Sequence, residues 1–117
     1  MFKIISNILE LLGISPGREG FHYLLKIIYI CYLNPTLLKN MSKNVYPRVA
    51  KEFHKTVSAI EKGIRTAIES GWNRSDYEYA NELFKNSLDP NKLKPTNVPF
   101  IRTIVRKITL IKEITIY

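Results

Sequence analysis

What this 117-residue chain lacks narrows its function first. It has one cysteine, Cys31, which excludes an internal disulfide and a cysteine zinc site. Cys31 lies inside an apolar run and reads as a small buried hydrophobe. The five glycines are dispersed, so no glycine-rich loop is present to cradle a phosphate. The two histidines, His22 and His54, fall in different segments, and neither has the spacing of a metal site or a catalytic triad. Carboxylate pairs such as Asp76 and Glu78 fall on a predicted exposed helix, where solvation is their ordinary state. No catalytic residues, metal ligands or cofactor site emerge, and the chain is not expected to be an enzyme. Long hydrophobic runs are missing too. The longest, residues 21–33, is interrupted by Lys26 and is too short to span a bilayer. The opening MFKIISNILELLG has no secretory pattern. The expectation is a cytoplasmic protein in a reducing setting, with no membrane partner.

What remains is a chain 45% hydrophobic and 24% charged, the balance of one ordinary globular domain over residues 1–117. The net charge is +8, unevenly spread. Residues 1–38 carry +1, residues 39–65 carry +5, residues 66–91 carry −3 and residues 92–117 carry +5. Two basic segments thus flank an acidic one. A basic face suits a polyanion, and counterion release makes such binding steeply salt-dependent.

Hydrophobic periodicity is helical throughout. Residues 2–12 form an amphipathic helix with Ile4, Ile5, Ile8, Leu11 and Leu12 at helical spacing, and Gly13 ends it. After a turn at Ser15-Pro16-Gly17, residues 18–33 are apolar nearly all round, which predicts a helix at the centre of the core. Asn34-Pro35 stops it, and residues 36–40 read as a short helical turn. A helix is expected over 41–53, starting or kinking at Pro47 because proline lacks the amide donor. Residues 76–84 form an acidic helix with Tyr77, Ala80, Leu83 and Phe84 inward, and residues 88–98, rich in proline, read as a loop. The last helix is expected from Phe100 to about Ile111, with its β-branched end fraying or extending. The fold class is all-α, a compact bundle of about six helices containing a helix-turn-helix.

That unit is YPRVAKEFHKTVSAIEKGIRTAIESGW, residues 46–72. Val49, Ala50 and Phe53 share one face of its first helix. Ser58-x-x-Glu61 has the form of a capping box that opens the second helix, over residues 58–72. Ile60, Ile64, Ala67, Ile68 and Gly71 face inward there, while Ala59, Glu61, Lys62, Arg65, Thr66 and Glu69 face out. The small Ala50 lets the second helix cross closely. A helical hairpin of any kind has this pattern, and so does a helix-turn-helix whose second helix enters the major groove. In the second case Lys55, Thr56 and Ser58 are placed to touch phosphates, and Lys43 to hold the backbone from the start of the scaffold helix. Glu61, Lys62, Arg65 and Thr66 reach base edges, where Glu accepts from cytosine N4 and Arg or Lys addresses guanine.

The segment YPRVAKEFHKTVSAIEKGIRTAIESGWNR resembles the helix-turn-helix of the C-terminal effector domain of the sporulation master response regulator of endospore-forming bacteria. LLGISPGREGFHYL near the start and KPTNVPFIR near the end extend the likeness, in order, over nearly the whole chain. The resemblance implies a sequence-specific DNA-binding transcription regulator. It also implies double-stranded DNA as partner, a homodimer on tandem sites, and contact with the RNA polymerase sigma subunit through the region after the recognition helix. Here that region is the acidic segment 75–88. The family's recognition helix presents Arg, Glu, Arg and Arg to DNA, followed by His; the matching positions here are Ala59, Glu61, Lys62, Arg65 and Thr66. Ala59 lacks a guanine-reading side chain, and Lys62 keeps the charge without the bidentate fork of arginine. No receiver domain precedes the first helix, so the expectation is either a stand-alone relative or an excised domain. The alternative function is a protein-interaction module that modulates the full-length regulator or the polymerase without specific DNA readout.

Overall fold

The computed structural model describes residues 1–84 and 94–116. Within them lie seven α-helices, one more than expected, and one 3-10 helix, with no strand among the described residues. Helix α1, Phe2–Leu11, ends in Gly13, whose φ of +83° only glycine adopts without strain. The Gly13 and Ile14 amides donate back to Glu10 and Leu9, the paired bonds of a Schellman ending. Helix α2, Glu19–Leu33, buries eight of its residues, as its all-round apolar sequence requires. It is the hub against which the other long helices pack. After the 3-10 helix Pro35–Asn40, the expected scaffold helix is broken in two: α3, Met41–Asn44, and α4, Tyr46–Phe53. The break falls at Val45 because Pro47 sits in the first turn of α4, where its missing amide costs nothing.

Helix α5, Val57–Trp72, buries the five residues that its spacing singled out: Ile60, Ile64, Ala67, Ile68 and Gly71. Each buried isoleucine contributes about 1.5–3 kcal/mol of hydrophobic stabilisation. The α2–α5 crossing is close enough for backbones to meet. Gly20 lies against the Gly63 carbonyl, and a Cβ built on it would stand 2.6 Å from that of Ala67. Helix α6, Tyr77–Phe84, is capped by Asp76, whose carboxylate accepts from the Tyr79 amide at 3.0 Å. Its inward side chains are Ala80 and Phe84, with Leu83 partly covered. Tyr77, expected inward, is 80% exposed, because two turns offer one narrow stripe and Phe84 fills it. Phe84 stacks on Phe100 and meets Trp72 edge-on, at 5.6 and 5.3 Å between ring centres, joining α6 to its neighbours.

Helix α7, Asn97–Ile116, starts three residues before the expected Phe100 and runs past Ile111. Pro99 breaks no bond, since the amides of a helix's first turn have no intrahelical partner. The first ladder bond instead joins the Phe100 amide to the Thr96 carbonyl. The predicted loop at 88–98 therefore ends at Thr96; its residues 88–93 lie outside the described residues, as do residues 85–88 of the acidic segment.

Candidate nucleic-acid interface

Helix α4 and helix α5 are joined by three residues, His54, Lys55 and Thr56. His54 takes the left-handed conformation, φ 56° and ψ 43°, in which histidine is tolerated better than most residues. Its amide donates to the Lys51 carbonyl and that of Lys55 to the Ala50 carbonyl, which pairs two of the last four carbonyls of α4. Thr56 then opens α5. Its hydroxyl oxygen accepts from the Ala59 amide at 3.0 Å, and its backbone is extended. The expected capping box of Ser58 and Glu61 is therefore corrected to a Thr56 cap, with the helix beginning at Val57. Ala50 is buried.

The face of α5 opposite its buried stripe carries exposed Ser58, Lys62, Arg65, Thr66 and Glu69, with Ala59 and Glu61 half-buried on its flanks. Among the described residues no ion pair engages Lys62 or Arg65. Lys55 is exposed in the turn and stands 3.9 Å from the Glu19 carboxylate, a solvent-screened contact of small energy. Lys43 is exposed on the one-turn helix α3, outside α4, so it does not open the scaffold helix as expected. Arg48 and Lys51 are exposed cations on α4 that periodicity did not distinguish from solvated surface.

One flank of α5 borders a groove of about 710 Å³. Glu61, Arg65 and Glu69 line it from the helix, Tyr46 from α4, and residues 94–99 form the opposite wall. Asn97 fastens that wall by donating from Nδ2 to the Glu61 carbonyl at 3.0 Å. The buried Tyr46 hydroxyl has no hydrogen-bond partner among the described residues. Burial first, then the charges of Glu61 and Cys31, push it up to about 12, while the nearby Asn97 amide pulls the other way. Sequence reading of chemistry missed Lys94, Thr96 and Asn97, which entered only through the KPTNVPFIR likeness, because nothing local ties them to α5.

The remaining chemistry-bearing side chains are dispersed. No group of three or more His, Cys, Asp or Glu among the described residues is arranged to hold a metal. His22 is exposed, with its Nε2 2.8 Å from the Pro16 carbonyl. Cys31 is buried with its thiol 3.7 Å from the Met41 sulfur, and burial pushes it up to about 11. No helix among the described residues is long and apolar enough to cross a membrane.

The family model for the sporulation initiation factor Spo0A C terminal matches residues 5–108, from within α1 to well into α7, and so takes in the turn, α5 and the opposite wall of the groove. A match over that share of the sequence settles the kinship: this chain belongs to the Spo0A C-terminal family of DNA-binding effector domains.

Proposed function

We propose that this chain is a sequence-specific DNA-binding transcription regulator in which α4, the turn and α5 act as a helix-turn-helix. The observation that carries this reading is the exposed face of α5, where Lys62 and Arg65 stand free of ion pairs among the described residues. An α-helix about 10–12 Å across fits a major groove about 12 Å wide. Arg65 addresses guanine through its fork, and Lys62 adds a point charge. Glu61 accepts from cytosine, and Thr66 contacts base or backbone. Ala59 makes no polar contact. Lys55, Ser58 and the amides at the start of α5 receive a phosphate, with the Thr56 cap fixing their direction. Lys43 holds the backbone from α3. Binding as a dimer on tandem sites, contact of the acidic segment with the polymerase sigma subunit, and a cytoplasmic location complete the proposal.

The test is titration against a labelled duplex bearing the family's element and against a scrambled duplex, each at two salt concentrations, with Arg65→Ala alongside. The expected result is selective, salt-sensitive binding. Arg65→Ala should weaken binding to the selective duplex by about 1–3 kcal/mol. Equal, weak binding to both duplexes, unchanged by the substitution, would refute a reader of that element, and selection from a random-sequence library would then decide between a new operator and the protein-interaction module.

A further inference from the structure

We propose that residues 94–96 form a second, sequence-blind DNA contact centred on Lys94, pressed against the phosphate backbone beside the reader helix. The proposal rests on α5 being that reader. A helix that fills the major groove has a sugar–phosphate backbone along each flank, so whatever stands beside a flank meets phosphate. On the Glu61–Arg65–Glu69 flank of α5, what stands there is the wall made by residues 94–99. Its place is fixed by the Asn97–Glu61 bond, which joins positions 36 residues apart.

The chemistry at that wall is a backbone binder's. Lys94 and Thr96 are exposed, and Lys94 has no ion pair among the described residues. An ammonium and a hydroxyl are ordinary phosphate donors and carry no base information. On the α5 side of the groove Arg65 stands between Glu61 and Glu69, so that side is no anion trap. The phosphate contact therefore falls to the exposed Lys94 on the opposite wall. Lys94 also belongs to the second basic segment, residues 92–117 with +5, which α5 itself leaves unused. Arg65 would then supply selectivity, and Lys94 affinity alone.

The experiment titrates the full chain, Lys94→Ala, Arg65→Ala and Lys3→Ala on the selective and scrambled duplexes over a salt series. Circular dichroism checks that each variant is folded. Lys3 is an exposed lysine on α1, outside the groove, and serves as the charge control. Lys94→Ala is expected to weaken both duplexes by the same factor and leave their ratio unchanged. It should also reduce the slope of log K against log salt by about 0.9. Lys3→Ala should leave that slope unchanged. If Arg65→Ala lowers the ratio but Lys94→Ala behaves as Lys3→Ala does, or itself lowers the ratio, the Lys94 contact is refuted and the reader stands. If the unsubstituted chain shows no selective binding, both fall.

Discussion

Alanine at Gly20 should destabilise the protein, against its usual effect in a helix. Gly20 lies in the first turn of α2, and there the expected gain from glycine to alanine is at most about 0.5–1 kcal/mol. The new methyl would meet the Gly63 carbonyl and stand 2.6 Å from the Ala67 Cβ. Carbon atoms rest at about 3.5–4.0 Å, so the two helices must part by roughly 1 Å. Backbone cannot swing aside, and the separation loosens the packing of Leu24, Ile60 and Ile64, all fully buried. Overpacking of this kind costs about 1–3 kcal/mol, leaving a net loss of up to about 2.5 kcal/mol, centred on about 1 kcal/mol. Gly63→Ala is the matched comparison. Its methyl meets only the Tyr23 ring, at 2.8 and 3.1 Å, and a ring edge can tilt. Its mid-helix position gains up to about 1 kcal/mol, so the net should lie within about 1 kcal/mol of zero. Urea unfolding followed by far-UV circular dichroism, at an unchanged m-value, reads both. A Gly20→Ala protein as stable as the parent, or more so, would mean that α2 and α5 do not cross this closely.

Three further outcomes follow from named contacts. Thr56→Ala removes the cap of α5 and should cost about 1 kcal/mol, whereas Ser58→Ala, one residue inside the helix, should cost only a few tenths; the same unfolding assay ranks them, and the reverse order would restore Ser58 as the cap. The folded-state value of Tyr46, raised from 10 to about 12, means that above pH 10 the unfolded chain loses a proton the folded chain keeps. Stability should therefore be unaffected by this group below pH 10 and fall as pH rises toward 12. Tyr46→Phe should flatten that part of the decline while costing little at neutral pH, because the hydroxyl has no partner to lose. Cys31 adds a decline that begins near 9, and because its charge also raises Tyr46, the difference between the two proteins reads Tyr46 together with that coupling. Ala59→Arg should tighten binding to a guanine-bearing site by about 1–3 kcal/mol in duplex titrations; no gain would mean that position 59 does not face base edges.

Local periodicity carried most of the fold. Ile60, Ile64, Ala67, Ile68 and Gly71 recur at helical spacing and are all buried, and the apolar circumference of α2 placed it at the centre. Details that depend on a single turn were less legible. Thr56 and Ser58 both have the chemistry of a cap; Thr56 takes the role with its extended backbone, while Ser58 lies inside the helix. Pro99 falls between the expected loop and the expected start of the last helix, yet it lies in the first turn of α7, where no amide is needed. The outer face of α5 followed from the same spacing as its inner one. The Asn97–Glu61 bond, the groove and the neighbourhood of Lys94 did not, because a contact across 36 residues leaves no trace in periodicity.

The proposed function turns on α5 reading base edges from the major groove. Guanine N7 methylation interference, on a duplex enriched by the purified chain from a random-sequence library, tests it most directly, because N7 lies in that groove. Methylation at one or more guanines should block binding, and Arg65→Ala should abolish the block at one of them. Selective binding indifferent to N7 methylation throughout, in a site that retains guanines, would contradict it.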